Sequence, residues 1–308
     1  MNLKFKQIRA EDAGRLSFYH TLRDNNTCDS VFMGEYLWKD YFEIRYAESG
    51  ETGALHYIMK KDGGLCAAVP YCTPENLPAA WTELRSWFHE EPGKKLVIHL
   101  ADELSLALLG LTPEQYEITE LRDAEDYLYD AQALKNLSGK KLHKKKNHLN
   151  AFLREQEGHY EYRPLCCSDA PEVWEFVKRW KTGKDAEYAR LSEEEKELDG
   201  ELLGIRDVLT GCSFLDVRMA GVYIDGALEA FTLGSYNERM RMAVIHIEKA
   251  NPQIRGLYPF INQQFLVHEY EDALLVNRED DLGLETLRRA KLSYCPVGLA
   301  KKFRVRER

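Results

Sequence analysis

Two side chains in the last quarter of the sequence could carry acid–base chemistry. Glu248 ends a predicted strand, where a carboxylate could act as a general base or take a proton through water from an attacking amine. Tyr294 lies on the last predicted helix, where its hydroxyl could protonate a leaving thiolate or hydroxyl. A strand-end surface glutamate and a half-buried tyrosine would explain the same residues without catalysis. Glu248 and Tyr294 are the predicted catalytic residues.

The loop that follows the strand of Glu248 is a predicted anion site. In the segment from Asn251 to Leu257 (NPQIRGL), the glycine lets the backbone approach a ligand closely. The helix that follows presents free N–H groups and the positive end of its dipole, an arrangement that suits a pyrophosphate. A simple strand-to-helix turn is the alternative account. The predicted donor-binding residues are Gln253, Arg255 and Gly256.

A second loop, from Asn277 to Gly283 (NREDDLG), places three carboxylates between a predicted strand and the N-terminus of a helix. Loops at the carboxyl ends of strands face the ligand cleft in open α/β sheets, so these groups could hold a cationic amine. Helix capping by Asp280 or Asp281 is the simpler account. No histidine lies nearby in the sequence, and a metal site is not predicted. The predicted acceptor-binding residues are Asn277, Glu279 and Asp280.

A lysine-rich segment runs from Lys140 to His148 (KKLHKKKNH), and no acidic residue occurs between Leu137 and Leu153. If the segment is helical, three leucines form an apolar stripe, and Lys146 falls about 40° from the centre of that stripe. A lysine beside a buried stripe is costly unless it meets an anion, so we predict that Lys146 lines a cleft and binds a phosphate or carboxylate. A solvated helix face is the alternative. The predicted anion-binding residues are Lys144, Lys145 and Lys146.

The elements that must position these groups repeat between the two halves of the chain. Each half reads as a strand, a helix, a hairpin of two strands, a helix, a strand and a helix. The hairpin turns are residues 61–64 (KDGG) in the first half and 225–226 (DG) in the second. This order predicts an α/β (α+β) fold of two similar lobes, as an internal duplication would produce. We predict a first lobe over residues 1–128 and, over residues 129–308, the basic connecting helix with a second lobe.

Composition limits the partners and the environment. Lys and Arg number 42 against 51 Asp and Glu, so the net charge is −9 and any attraction to nucleic acid or anionic lipid must be local. The longest apolar run, Leu104 to Leu111, is less than half of the ~20 residues that a membrane helix needs, and the start of the sequence lacks the apolar core of a secretory signal. The seven cysteines include no CxxC pair, which predicts reduced thiols and no disulfide scaffold. These features predict a cytoplasmic protein.

Two sets of residues resemble known families. Gln253-x-x-Gly256 is similar to the acyl-coenzyme A loop of the GNAT acyltransferases, Q/R-x-x-G-x-G/A, with Tyr258 where the last small residue belongs. A second resemblance covers most of the chain, to a bacterial family similar to the C-terminal domain of phosphatidylglycerol lysyltransferase. The segments that carry it are 137–152 (LSGKKLHKKKNHLNAF), 277–283 (NREDDLG) and 287–296 (LRRAKLSYCP).

The resemblance implies a tandem GNAT-like fold in which each lobe is a mixed, largely antiparallel sheet flanked by helices. It also implies transfer of an acyl or aminoacyl group, from acyl-coenzyme A or an aminoacyl-tRNA, to an amine or hydroxyl acceptor. Acyl-coenzyme A would then be a donor substrate and not a tightly bound cofactor. By the same analogy, the basic segment could meet a tRNA backbone or a lipid headgroup. A non-catalytic binding protein that keeps the fold is the alternative, and Tyr258 in the donor loop favours it.

Overall fold

The computed structural model describes residues 3–90, 93–188 and 192–308, which form two seven-stranded sheets flanked by helices. In their spatial order, the strands of the first sheet are β1 (Lys6–Gln7), β2 (Arg45–Glu48), β3 (Leu55–Lys61), β4 (Gly64–Ala67), β5 (Val97–Asp102), β14 (Lys302–Glu307) and β6 (Tyr116–Glu120). Those of the second sheet are β13 (Gly298–Ala300), β7 (Asp126–Asp130), β12 (Leu275–Asn277), β11 (Met242–Ala250), β10 (Ala227–Asn237), β9 (Arg218–Ile224) and β8 (Tyr160–Leu165). The pairs β4–β5 and β11–β12 are parallel, and the other neighbours are antiparallel. The predicted mixed, largely antiparallel sheets are confirmed.

Helices cover both sheets. In chain order they are α1 (Ala13–His20), α2 (Phe32–Leu37), α3 (Leu77–Phe88), α4 (Glu103–Leu109), α5 (Ala131–Asn136), α6 (His143–Glu155), α7 (Ala170–Tyr188), α8 (Ser192–Gly211), α9 (Leu257–Glu269) and α10 (Glu285–Leu292). In helices such as α3 and α9, apolar residues at helical spacing are buried against the sheets. In α9, for example, Leu257, Phe260 and Ile261 are buried in a core shared with α5, α6 and the second sheet.

The two sheets have one strand order, which supports the predicted repeat. β1 to β5 lie side by side in the first sheet, and β8 to β12 lie side by side in the second. In each series a hairpin joins the third and fourth strands, and the fourth strand runs parallel to the fifth. The predicted turn at residues 225–226 joins the second and third strands, β9 and β10, so it is not the counterpart of the turn at residues 61–64. The repeated order therefore places a parallel pair at the same position in each lobe.

The sixth position of each sheet is filled by a strand from the other half of the chain. β14 lies between β5 and β6 in the first sheet, and β7 lies between β12 and β13 in the second. The boundary predicted after residue 128 therefore falls within β7, and the closing strand assigned to the second lobe pairs in the first. An apolar pattern indicates that a strand exists but does not identify its partner, which is the reason for this difference.

Close packing fixes the position of α2, which lies against α8. Gly204 of α8 faces the carbonyl group of Leu37, and a Cβ atom on this glycine would lie 2.1 Å from the Leu37 oxygen. A side chain at residue 204 would therefore separate the two helices.

Two further observations concern features predicted from composition. Cys167 and Cys212 form a disulfide, with Cα atoms 5.8 Å apart and a separation of 45 positions in the sequence, so the prediction of reduced thiols is wrong for this pair. The CxxC rule could not reveal it, because α7 and α8 separate the two cysteines in sequence and bring them together only by packing on each other. Within residues 3–90, 93–188 and 192–308, no helix has the length and apolarity needed to cross a membrane.

Candidate functional site

A cavity of about 1400 Å³ lies where the parallel strand pairs of both lobes stop pairing. β4 and β5 share one registered pair, Ala67 with Ile98, and β12 pairs only with residues 242–244 of β11. Beyond these points the cavity is lined by residues 68–69 and 99–100 of the first lobe and by Ile245, His246, Glu248 and Lys249 of the second. Both lobes therefore open onto one shared space.

The predicted catalytic residues meet around Arg278, which sequence analysis did not single out. Arg278 donates from Nη2 to Oε1 of Glu248 at 2.8 Å, and its guanidinium carbon lies 4.6 Å from the centre of the Tyr294 ring. Oε2 of Glu248 accepts a 2.7 Å hydrogen bond from Asn262. Nη1 of Arg278 is buried and has no hydrogen-bond partner within the described part of the chain. The sequence signal for Arg278 is its position: it is the one basic residue of the acidic loop, and it directly follows a buried strand.

Burial sets the protonation states on this wall. Burial raises the pKa of Tyr294 well above its usual value, while the nearby Arg278 guanidinium acts in the opposite direction. The Tyr294 hydroxyl therefore stays protonated at neutral pH and is able to donate a proton. Burial, followed by the charge of Arg278, lowers the pKa of Lys145 to about 8. Glu248 has both carboxylate oxygens engaged, which favours it as the group that orients Arg278.

The three predicted anion-binding lysines separate in the structure. Lys145 lines the cavity, and its Nζ lies 4.0 Å from the centre of the Tyr294 ring. Lys144 and Lys146 are exposed, which differs from the predicted placement of Lys146 in the cleft. The buried face of α6 contains Leu149 and Phe152, and Lys145 lies on that face at positions i, i+4 and i+7. The apolar stripe predicted from the leucines alone was rotated about the helix axis relative to the buried face of α6, because it omitted Phe152.

The predicted donor loop lines the cavity through Gln253, Arg255 and Gly256. Gly256 caps α9 with φ +82°, and a Cβ atom there would lie 2.0 Å from the carbonyl oxygen of His148 in α6. The glycine is thus required for the approach of two helices, whether or not a ligand binds. The turn itself is held by the Asn251 side chain, which accepts from the backbone N–H of Gln253 at 3.0 Å.

The acidic loop divides into cavity-lining and structural groups. Glu279 and Asp280 line the cavity; Glu279 lies 2.7 Å from Nδ1 of His246, and burial raises the pKa of Asp280 to about 7 against the charges of Lys302 and Lys291. Asn277 differs from its predicted placement, because its side chain is buried among protein groups. It donates 3.0 Å hydrogen bonds to Asn26 and Asp126 and accepts one of 2.7 Å from the N–H of Glu279. Among the described residues, no group of three or more His, Cys, Asp or Glu side chains is arranged to hold a metal ion.

The first lobe contributes carboxylates that sequence analysis missed. Glu35 of α2 is 4 % exposed and accepts a 2.9 Å hydrogen bond at Oε1 from Tyr71. Burial, together with the charge of Asp29, raises the pKa of Glu35 to about 8. Nearby, Lys302 is buried, with its Nζ 2.8 Å from Oδ1 of Asp126 and 3.7 Å from Oδ2 of Asp29. A glutamate inside the apolar run VFMGEYLW was the signal available in the sequence.

Comparisons with known proteins agree with this fold. Residues 22–306 match the family model described as phosphatidylglycerol lysyltransferase, C-terminal. A conserved protein of unknown function from Bacteroides thetaiotaomicron is 26 % identical with a TM-score of 0.89 and full coverage of both chains. The structure of L-PGS from Bacillus licheniformis is 16 % identical with a TM-score of 0.65, over 98 % of this chain and 94 % of that one. An uncharacterized protein of Mycoplasmoides gallisepticum is 26 % identical over 208 residues, which are 67 % of this chain and 64 % of the relative's length. The predicted resemblance to the C-terminal domain of phosphatidylglycerol lysyltransferase is confirmed, and its two-lobed fold is shared by these structures.

Proposed function

Because the chain belongs to the phosphatidylglycerol lysyltransferase C-terminal family, we propose that it transfers an acyl or aminoacyl group to an amine or hydroxyl acceptor inside the central cavity. The observation that carries the proposal is the shared space onto which both parallel strand pairs open, with the buried cation Arg278 on its wall. Such a space lets a donor enter from one lobe and an acceptor from the other. Catalysis then rests mainly on holding the two reactants together.

The proposed reaction needs three kinds of group on the cavity wall. The acceptor nitrogen or oxygen attacks the donor carbonyl carbon, a C–N or C–O bond forms, and the bond from that carbon to the leaving oxygen or sulfur breaks. Nη1 of Arg278, which has no hydrogen-bond partner in the described chain, and the ammonium group of Lys145 would stabilise the oxyanion. Tyr294 would give its proton to the leaving group and would recover one from the attacking acceptor through water, while Glu248 holds Arg278 in place.

Two donor classes fit this wall. Acyl-coenzyme A would place its pyrophosphate at the loop of Gln253, Arg255 and Gly256, ahead of the N-terminus of α9. Aminoacyl-tRNA would lie along α6, whose exposed lysines, Lys144 and Lys146, continue outward from cavity-lining Lys145 and His148. The two donors differ in salt dependence, because a polynucleotide releases several counterions on binding.

The test is a transfer assay with the purified chain, acyl-coenzyme A or aminoacyl-tRNA donors, and a panel of amines and alcohols, with products identified by mass spectrometry. We expect Arg278→Lys to lower kcat/KM by about 100-fold or more, because lysine keeps the charge but loses the fork that meets Glu248 and the oxyanion. The matched control is Arg289→Lys on the exposed side of α10, which should leave kcat/KM within about twofold.

A second variant, in which both Lys144 and Lys146 are neutralised, distinguishes the two donors. It should lower the affinity for tRNA, reduce the dependence of that affinity on salt concentration, and leave coenzyme A binding unchanged. The absence of turnover with every donor would instead favour the non-catalytic binding protein.

A further inference from the structure

The end of the cavity within the first lobe differs in chemistry from the wall around Arg278. Its lining includes two carboxylates, Asp29 and Glu35, and the aromatic side chains of Trp38, Phe42 and Tyr71. Glu35 and Trp38 are three residues apart at α2 and its C-cap, so they share a face, and the rings of Trp38 and Phe42 are 5.9 Å apart. We call these five residues the first-lobe chamber.

The carboxylates of the chamber have unused hydrogen-bonding capacity. Glu35 is more than nine-tenths buried and lines the cavity, yet within the described chain only Tyr71 bonds to it, and only at Oε1. Oδ2 of Asp29 is buried and likewise has no hydrogen-bond partner in the described residues. Since a buried polar atom without a partner is costly, both oxygens are suited to a donor that arrives with a ligand.

The charges of the protein leave this end of the cavity short of positive charge. Lys302 is the nearby buried cation, and it lies closer to Asp126, at 2.8 Å, than to Asp29, at 3.7 Å. Arg23, also on the cavity wall, donates from Nη1 to the carbonyl groups of Pro70 and Cys72. With Asp126 taking most of the Lys302 charge, Asp29 and Glu35 can both be ionised near neutral pH only when a further cation lies between them, and Glu35 otherwise keeps its proton.

We propose that the first-lobe chamber binds a primary ammonium group carried on a compact apolar or aromatic body. The ammonium would donate to Oε2 of Glu35 and Oδ2 of Asp29, and the body would lie against Trp38 and Phe42. Nζ of Lys61 already lies 4.7 Å from the centre of the Phe42 ring, so Trp38 is the ring proposed to face the ammonium. The inference rests on the proposed function only in treating the ligand as a substrate. The same ammonium chemistry could belong to an amine acceptor or to the amino acid of an aminoacyl donor.

Binding of small probes tests this site without any transfer reaction. Isothermal titration of the purified chain with 2-phenylethylamine, at a pH where the amine is protonated, should show saturable binding. The neutral isostere 2-phenylethanol should bind at least tenfold more weakly. Glu35→Gln keeps the size of the side chain and the hydrogen bond to Tyr71, and it should weaken amine binding at least tenfold while leaving the alcohol unchanged. Equal affinity for amine and alcohol, or an unchanged amine affinity in Glu35→Gln, would overturn the proposal.

Two controls make these results specific. Glu43→Gln removes the same charge from an exposed glutamate of the same lobe and should leave amine affinity within about twofold. Asp29→Asn supplies an independent variant and should also weaken amine binding at least tenfold; folding of each variant is checked by its thermal midpoint.

Phenylalanine amide, as a mimic of an aminoacyl group, distinguishes the source of the ammonium. Tighter Glu35-dependent binding of the amide assigns the chamber to the donor, and tighter binding of the plain amine assigns it to the acceptor. Because these are binding measurements, inactivity in the transfer assay would leave their outcome intact.

Discussion

At the scale of single residues, burial sets the protonation of the first-lobe acids. Burial and the charge of Asp29 raise the pKa of Glu35 to about 8, while the hydrogen bond from Tyr71 and the charge of Lys302 act against this rise. The folded protein therefore binds this proton more tightly than the unfolded chain, where a glutamate titrates near pH ~4.3. The stability from Glu35 protonation is complete below that pH and is lost as the pH rises to about 8.

Glu35→Gln should consequently stabilise the apo protein at alkaline pH, because glutamine cannot ionise. We expect the free energy of unfolding to rise by roughly 2–4 kcal/mol relative to wild type at pH ~8.5 and to change little at pH ~5. Urea unfolding at both pH values measures this difference. Burial also raises the pKa of Asp280 to about 7, so the Glu35→Gln variant should still lose some free energy of unfolding at alkaline pH, but less than wild type. A difference between variant and wild type that is equal at the two pH values would contradict the account.

Some of the residues predicted from local sequence patterns line the cavity, and their roles stay predictions. Glu248, which lies within β11 and not at its end as predicted, and Gly256, which precedes α9, both line the cavity. The choice among the lysines depended on the rotation of α6, which buried Phe152 sets in three dimensions. Glu35 was missed because the burial and the nearby charge of Asp29 that raise its pKa arise only when the chain folds. Local patterns identify candidates, and tertiary contacts decide which of them face the cavity.

At the scale of elements, α2 decides the shape of the first-lobe chamber. The aromatic run over residues 36–46 (YLWKDYFEIRY) predicts a buried turn that leads into a strand, whereas the chain forms α2 (Phe32–Leu37) and begins β2 at Arg45. A helix of six residues is too short for its periodicity to stand out, and it is stable here because its residues are buried against the core. The packing of α8 on α2 at Gly204 therefore belongs to the site as well as to the fold.

Gly204→Ala tests this packing. Alanine favours an isolated helix by ~1 kcal/mol over glycine, but its Cβ would lie 2.1 Å from the oxygen of Leu37, so we expect a net loss of about 1–3 kcal/mol in the free energy of unfolding. The matched control is Gly14→Ala in α1, where no atom lies within 4 Å of the added Cβ and the change should stabilise by up to about 1 kcal/mol. Chemical denaturation of both variants gives the comparison. A stabilised Gly204→Ala protein would mean that α2 and α8 are not held at this distance.

At the scale of the whole molecule, the exchanged strands join the two lobes. Lys302 begins β14 in the first sheet, and Asp126 begins β7 in the second. Their side chains are both buried and form the 2.8 Å ion pair beside the cavity. Each exchanged strand belongs to a different sheet, and the ion pair joins the first residue of β14 to the first residue of β7. Pairing between such distant segments is the part of the fold that periodicity could not predict.

Lys302→Met should therefore destabilise both lobes together, because it leaves Asp126 buried without its cation. We expect a loss of ~3–5 kcal/mol in the free energy of unfolding, and the double variant Lys302→Met, Asp126→Asn should recover part of it. Hydrogen exchange should show lost protection in β14 and in β7 alike, although they lie in different sheets. The adjacent control Lys301→Met removes an exposed lysine paired with Glu120 and should change neither strand. Loss of protection confined to β14 would show that the ion pair serves the first sheet alone and that the exchanged strands do not couple the lobes.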